Sequence, residues 1–453
     1  MVDTETLLRQ ALTGGAQSVD VPENVWPGFA RRERRHRRNR RIRLAAAAAA
    51  LVAAVGVQTG VVPLPGWAPG IAVAGRQTAL TKAPIRGNLA GDQAWLAGMR
   101  REIKDVRDPD ELWRVADRSK ITFVYAADLP GRRLTLALVP LRFGFLTDQA
   151  LIWYDGPAGA APEQMTEAGR VDGGETVVSY LQGRPDGPGT LVVVAPPTAT
   201  VAVSSGFTYT AAGRVAHGTP VVSTGGLAEV VLPPSSFDPG TTITVTDGGR
   251  TRYAGPASGG WSGPDVFEPE AATLDRMLAG RSFDRLTMER WVSSALRDAR
   301  LPAAGTTVTL RWTGTVNGQP AALFTLRPAN GGVLAYAMHG VADSYRQDLR
   351  LLLPADGADR RPIAWRMRAE GKDDRTDQVI VVTPPGTTSA VLTAAGRTPL
   401  TLDPAGAAVT TLPPNATASV TAYPAGTTTP VPVFETDSGG LPGDTPKTRV
   451  VGP

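Results

Sequence analysis

The chain has 453 residues, enough for about two or three domains, and its 50 Gly and 39 Pro favour turns and short strands over long helices. It contains no cysteine, which excludes disulfides, thiol nucleophiles and Cys-ligated zinc. The net charge of +5 is local: residues 1–43 carry ten Arg against five acidic residues and the remainder is balanced, so no nucleic-acid partner is expected for the bulk of the chain.

In chain order, residues 4–12 place Leu7, Leu8, Ala11 and Leu12 on the stripe of a short amphipathic helix, with Thr4 as cap and Gly14-Gly15 as stop. Val25, Trp26 and Phe29 add a small apolar cluster. This arm reads either as a flexible segment held near anionic headgroups or as a docking peptide for a cytoplasmic protein. The docking residues would be Leu7, Leu8, Leu12, Trp26 and Phe29. Arg31, Arg32, Arg34, Arg35, Arg37, Arg38, Arg40, Arg41 and Arg43 then abut an uncharged Ala-, Leu- and Val-rich run. As a helix, residues 44–62 span roughly 28 Å, about one hydrocarbon core. Pro63 and Pro65 end the run, and Trp67 sits where an interfacial aromatic would anchor it. Positive charge on the N-terminal side places the arm in the cytoplasm and the rest outside. Two other readings are an Ala-rich soluble helix and a cleaved export signal, with Ala72-Val73-Ala74 as the cleavage form and Arg40-Arg41 as a weak twin-arginine motif. A retained anchor is preferred, because the basic run starts only at Arg31 and the cleavage form lies well beyond the apolar run.

Leu7-Leu8-Arg9-Gln10-Ala11-Leu12, the stretch containing Trp26, the Arg block and the Ala/Val-rich span together resemble the layout of actinobacterial single-pass membrane proteins, some of them similar to anti-sigma factors. The resemblance covers about residues 1–65. It implies a cytoplasmic arm that binds a partner such as a sigma factor, and an outer region of extracytoplasmic location. The zinc-type motif of such proteins uses a His and paired Cys, and this chain has no Cys.

The outer region carries an internal repeat. Trp95-Leu96-Ala97-Gly98 returns as Met277-Leu278-Ala279-Gly280, and Ile121-Thr122-Phe123-Val124-Tyr125 as Val308-Thr309-Leu310-Arg311-Trp312. Val193-Val194-Ala195-Pro196-Pro197 returns as Val381-Val382-Thr383-Pro384-Pro385, and Leu232-Pro233-Pro234 as Leu412-Pro413-Pro414. The matches keep their order at a nearly constant spacing.

Each copy is predicted to open helical. In the first, 93–117 reads as two short helices broken near Pro109, with Asp108 capping the second. In the second, Leu274, Met277, Leu278, Leu286, Trp291, Val292 and Leu296 fall at helical spacing over 270–300. Strands are predicted at 120–127, 133–140, 149–155, 175–181, 190–195, 199–204, 227–232 and 241–247 in the first copy. In the second they are predicted at 306–314, 320–326, 332–338, 348–353, 378–383, 388–393, 407–412 and 416–422. Val316-Asn317-Gly318-Gln319 and Asp247-Gly248-Gly249-Arg250 read as hairpin turns.

The expected fold class is α+β, mostly β: one transmembrane helix, then two related extracytoplasmic modules, each a short helical segment on an antiparallel β sandwich or partly open barrel. The expected divisions are a basic arm (1–43), the membrane helix (44–62), a juxtamembrane stalk (63–91), module 1 (92–255), a linker (256–268), module 2 (269–436) and a disordered tail (437–453).

Chemistry is sparse. His36, His217 and His339 are scattered and form no metal set, and a Ser-His-Asp hydrolase would need one of them as base. Asp155 and His339 hold similar places in the two copies, each before a Gly, and read as strand-end turns. Glu102, Asp105, Asp108, Asp110 and Glu111 interleave with Arg100, Arg101, Lys104 and Arg107 as a salt-bridged helix face. Residues 372–377 have calcium-ligand types without the Gly and final Glu of an EF-hand, and read as a charged hairpin loop. Trp153, Tyr154, Trp312, Tyr336 and Trp365 read as core residues or as a surface that stacks on sugars. No catalytic residue, cofactor or metal is expected. The leading functional reading is a membrane protein that senses or binds a cell-envelope ligand outside and regulates transcription in an anti-sigma-like manner inside. A non-signalling envelope scaffold is the alternative, and an extracellular enzyme comes third.

Overall fold

A computed structural model describes residues 71–72, 78–108, 111–143, 146–368, 377–402, 407–413, 416–434, 440–443 and 448–451. The docking residues Leu7, Leu8, Leu12, Trp26 and Phe29, the arginines from Arg31 to Arg43, the span 44–62 and Trp67 lie outside the described residues, as does the 371–376 stretch of the calcium-like loop. Among the described residues no helix is long and apolar enough to cross a membrane. These residues are mostly β, in several sheets that are almost wholly antiparallel.

The described residues fall into two compact units, one of 71–72, 104–108, 111–117, 140–143 and 146–148 and one of 78–103, 118–139 and the described residues from 149 onward. In the first, β1 (Ile71–Ala72) runs parallel to Leu146 and Thr147, and β2 (Val106–Asp108) pairs with β3 (Glu111–Val115). This hairpin replaces the second helix predicted over 93–117. Trp113 and Val115 alternate with Leu112 and Arg114, a two-residue period that suits a strand. Trp113 packs against Phe143 at 5.6 Å, and the Val115 amide donates to Asp105. The salt-bridged helix face expected across Glu102 to Glu111 is therefore not formed, because the helix ends at Glu102.

The larger unit begins with residues 78–90, whose Leu80 is fully buried. Backbone bonds tie Arg86 to Val124 and Ala126, and its guanidinium donates to the Ala195 and Gly226 carbonyls. This end of the expected stalk is thus part of the folded body. Helix α1 (Gln93–Glu102) is capped by Asp92, which accepts from the Trp95 amide at 2.9 Å, and it buries Trp95, Leu96 and Met99.

The first copy then lays down a four-strand meander, β4 (Thr122–Leu129), β5 (Arg132–Phe143), β6 (Leu146–Pro157) and β7 (Thr166–Asp172). A second sheet follows with β8 (Val178–Arg184) and β9 (Gly187–Val194), and a third starts at β10 (Thr200–Ser204). After the small hairpin β11 (Phe207–Tyr209) and β12 (Val215–His217), β13 (Val221–Ser223) joins β10. Strand β14 (Leu227–Leu232) returns to β9, while β15 (Thr242–Asp247) and β16 (Arg250–Pro256) extend the third sheet. Finally β17 (Gly259–Trp261) adds to β8 in parallel. The middle sheet is covered on both faces: Val192 and Val194 join Tyr125, Leu136 and Trp153, while Leu191 and Val193 join Val201, Ile243 and Val245. That is why Leu191-Val192-Val193-Val194 is a continuous apolar run rather than an alternating one.

The second copy repeats this plan. Helices α2 (Ala271–Leu278) and α3 (Arg285–Ala299) bury Leu274, Met288, Trp291 and Leu296 with Phe324 and Tyr336 of its meander. The meander is β18 (Thr306–Val316), β19 (Gln319–Pro328), β20 (Val333–Val341) and β21 (Ser344–Leu353). Strands β22 (Ile363–Arg366) and β23 (Gln378–Val382) open its middle sheet, and β24 (Ser389–Ala394) and β25 (Leu400–Leu402) its outer one. Strand β26 (Ala407–Thr411) then joins β23, while β27 (Ala418–Tyr423) joins β24 and is followed by β28 (Thr427–Phe434) and β29 (Thr448–Val451).

The two meanders share irregularities. The register of the first meander pair slips between Phe123 and Tyr125 in one copy and between Leu310 and Trp312 in the other. The third strand of each meander slips too, at Trp153/Tyr154 and at Ala337/Met338. Bulges thus fall at matching places in the two meanders.

Two boundaries change. The linker expected at 256–268 contains β17, and the tail expected to be disordered supplies β29, with Leu441 buried and the Gly440 carbonyl accepting from Arg350 at 2.6 Å. The copies are also locked together. The β11–β12 hairpin of copy 1 reaches into copy 2, where Tyr209 is buried, its hydroxyl donates to the Ala299 carbonyl at 2.9 Å, and its carbonyl accepts from Gly332. Arg300 and Asp238 add an ion pair at 2.7 Å.

Candidate functional site

Copy 1 contains a cleft of about 510 Å³ lined by parts of β6, β7, β8 and β17. The Trp153/Tyr154 bulge sits in its wall, immediately before Asp155. Bulges re-aim the side chains beside them. Tyr180 and Gln182 are two apart on β8 and so project from one face.

Arg132, first residue of β5, ties these groups together. Its guanidinium donates to Asp155 Oδ2 at 3.1 Å and to the Tyr180 hydroxyl at 2.9 Å, and also reaches Gln182 Oε1. The Tyr180 hydroxyl lies 2.8 Å from Asp155 Oδ2, to which it donates. Burial first, then this bond to Asp155, pushes the Tyr180 phenol above its ordinary value, so it stays a donor. Trp153 packs on Tyr180 at 5.4 Å and on Tyr125 at 5.9 Å, which fixes both rings. Trp261 also lines the cleft, packs with Leu181 and Val193 on the other face of the middle sheet, and lies so close to Gly183 that a Cβ there would be 1.8 Å from its ring. Strand β17 is strapped down by Ser258, whose carbonyl accepts from the Leu181 amide and whose amide donates to Ser179 Oγ. Of the Arg132–Asp155–Tyr180–Gln182 network, the last three residues line the cleft and Arg132 holds them from behind.

The second copy places other residues at the matching positions. Arg132 and Gln319 both open the second meander strand after a tight turn. Asp155 and His339 both follow the second bulge. Tyr180 pairs with Val192 as Trp365 pairs with Ile380, and Gln182 corresponds to Met367, which bonds Gln378. Thus Arg132, Asp155, Tyr180 and Gln182 become Gln319, His339, Trp365 and Met367. Trp365 and Met367 are 1% and 2% exposed, and Trp365 packs edge-on against Trp312 at 6.2 Å. At two of the four positions copy 2 therefore has buried apolar side chains in place of Tyr180 and Gln182.

His339 turns instead to Asp348, with Nδ1 2.7 Å from Oδ2, and the other Asp348 oxygen accepts from the Arg368 amide. Burial raises the Asp348 carboxyl and its bond to His339 opposes that shift. The reading of Asp155 and His339 as strand-end turns is corrected: β6 runs on to Pro157 and β20 to Val341, with Gly340 (φ +124°) still paired inside the strand.

Of the five aromatics singled out in the sequence, only Trp153 lines the cleft. Tyr154 and Trp312 sit in the body of their copies, while Tyr336 is fully buried and donates to Asp298 at 2.8 Å. Arg132, Tyr180, Gln182 and Trp261 were not legible as site residues, because the network joins three strands, β5, β6 and β8, and Trp261 comes from a fourth, β17. The one signal was Asp155, which breaks an apolar strand at the position where copy 2 has His339. Among the described residues no group of three His, Asp or Glu side chains is placed to hold a metal ion. No family model matches the chain, and no curated protein matches it.

Proposed function

We propose that this chain is a single-pass membrane protein whose duplicated outer region binds a cell-envelope ligand in the copy-1 cleft, and whose basic N-terminal arm passes that state to a cytoplasmic partner in an anti-sigma-like manner. The observation that carries the binding half is the copy-1 cleft itself, whose lining includes Asp155, Arg170, Gln182 and Trp261. Copy 2 then acts as a brace, held by Tyr209 and the Arg300–Asp238 pair.

Binding fits better than turnover. Glycoside hydrolysis needs two flanking carboxylates. Among the described lining residues Asp155 is the one carboxylate, and it is already paired with Arg132. The membrane half rests on the arginine block and the adjoining apolar run.

The test is purification of the full chain from membranes with its bound proteins. Recovery of an RNA polymerase sigma factor, lost when Leu7, Leu8 and Leu12 are changed to Ser, supports the regulatory reading. Recovery of no cytoplasmic partner favours the scaffold.

A further inference from the structure

We infer that the copy-1 cleft takes an extended peptide segment of another protein, which adds as a strand, antiparallel to β17, to the open edge of the middle sheet; this rests on the reading of the cleft as the ligand site.

Strand β17 ends its sheet, with β8 on one side and no strand on the other among the described residues. The Leu181 amide donates to the Ser258 carbonyl, and the Ser262 amide donates to the Gly183 carbonyl. Alternation along a parallel pair therefore turns the main chain of Gly260 toward β8 and the amides and carbonyls of Gly259 and Trp261 away from it. Among the described residues these four outward groups have no hydrogen-bond partner. They are the set that an added strand uses. The usual guards of an edge, a charged side chain or a proline, are missing from Gly259-Gly260-Trp261. A Cβ on Gly260 would meet nothing within 4 Å, so no side chain screens the backbone there. Gly259, at φ +151°, would bring a Cβ to 1.9 Å from the Leu181 carbonyl oxygen, so glycine is required at this edge. The same cleft is lined from the meander by β7, which pairs only with β6 among the described strands.

The second copy identifies the kind of occupant. In both copies the last strand of the outer sheet reaches a proline, Pro256 opposite Thr242 and Pro430 opposite Ser419. The chain then runs on beside the first strand of the middle sheet, as β17 along β8 and as the end of β28 along β22. In copy 2 this edge is covered: β29 (Thr448–Val451) pairs antiparallel with Val431–Phe434. Arg350 holds the same C-terminal segment by donating to the Gly440 carbonyl at 2.6 Å. The counterpart of Arg350 is Arg170. Each lies two residues beyond the extra residue in the last meander strand, Asp348 or Ala168, and they stand opposite Tyr336 and Ile152. Arg170 lines the cleft. A polypeptide segment thus occupies in copy 2 the place that β17 and Arg170 flank in copy 1. The chain after β17 does not turn back to fill it, because it leads into copy 2, where the Val266 carbonyl accepts from the Ala303 amide. The C-terminal strand of a second copy is already paired with its own β28. The occupant is therefore a segment of a different protein, extended, free of proline where it pairs, and with a main-chain carbonyl for Arg170.

The experiment titrates the detergent-solubilised full chain with a fluorescent peptide of residues 447–452, the strand that covers the corresponding edge, and locates it by hydrogen exchange. Binding that protects 258–262 is the expected result. Two further peptides are N-methylated at residues 448 and 450 or at 449 and 451, which blocks opposite edges of an extended strand. One of them should bind about tenfold or more weakly and the other like the parent. Arg170→Gln should weaken the parent peptide about threefold or more. Equal binding of the two methylated peptides, or binding indifferent to Arg170→Gln, overturns the proposal. Protection confined to 431–434 means exchange with β29 and overturns the copy-1 site. Dimerisation of the chain without peptide, with protection of 258–262, makes a second copy the occupant and overturns a foreign one. A crude envelope extract that protects 166–171, 179–182 and 258–262 while the peptide does not bind overturns the added strand and leaves the cleft as a ligand site. Protection by neither overturns both.

Discussion

Tyr209 offers a direct measure of how firmly the two copies are joined. It belongs to copy 1 but is 3% exposed within the helical core of copy 2, 5.1 Å from Phe207, with its hydroxyl 2.9 Å from the Ala299 carbonyl. Tyr209→Phe removes one hydrogen bond at the end of α3 and should cost about 1 kcal/mol. Tyr209→Ala also empties the space of the ring and should cost about 3–5 kcal/mol. Because the contact is with α3, the loss should appear as faster hydrogen exchange in the last turns of that helix, residues 292–301. The acceleration should be about fivefold for the first variant and more than about a hundredfold for the second. Unchanged exchange in α3 for both variants, with any loosening confined to 200–223, would refute the claim that this hairpin couples the copies.

Other expectations follow from single contacts. Gly183→Ala places a Cβ 1.8 Å from the Trp261 ring, so Trp261 should move and tryptophan fluorescence should shift, with cleft binding reduced about tenfold or more. Asp92→Ala removes the cap of α1 and should lower stability by about 1 kcal/mol in thermal unfolding. Asp128 forms a two-pronged pair with Arg133, and that hydrogen bond holds its carboxyl below its ordinary value. The resulting stability is present above the unfolded-state value of about 3.9 and is lost as pH falls through the lowered folded value. Acid unfolding curves of Asp128→Asn should therefore lack this component, and identical curves for variant and parent would refute it.

How much of this was legible in the sequence depends on where the information lay. Strands with strict alternation, such as 306–312 and 242–246, were placed within a residue or two because periodicity alone decides them. The turns at Asn317-Gly318 and Gly248-Gly249 were legible for a similar reason, since both pairs take the positive φ that mirror-image hairpin turns need. The duplication was visible only as short matches, and the paired bulges at Tyr125 and Trp312 give it structural weight. Residues 106–115 misled because leucine, tryptophan and valine around Pro109 fit a broken helix as well as a hairpin, and pairing between Val106 and Trp113 decided the matter. Strands β17 and β29 were missed because Gly259-Gly260 and Thr448-Arg449 carry no apolar pattern, and each is held by the strand it joins. The cleft was illegible for the deepest reason. Arg132, Asp155, Tyr180 and Trp261 lie on different strands, and only the folded sheets bring them together.

The most direct test of the cleft as the working site is to give copy 1 the residues of copy 2. The double variant Tyr180→Trp and Gln182→Met should fill the slot as Trp365 and Met367 do while keeping the β-rich fold. Hydrogen exchange of the full chain with an envelope extract is then compared for parent and variant. Protection of 166–171, 179–182 and 258–262 in the parent and its loss in the folded variant is the expected result. Equal protection in both, or protection confined to copy 2, would contradict a binding site in copy 1.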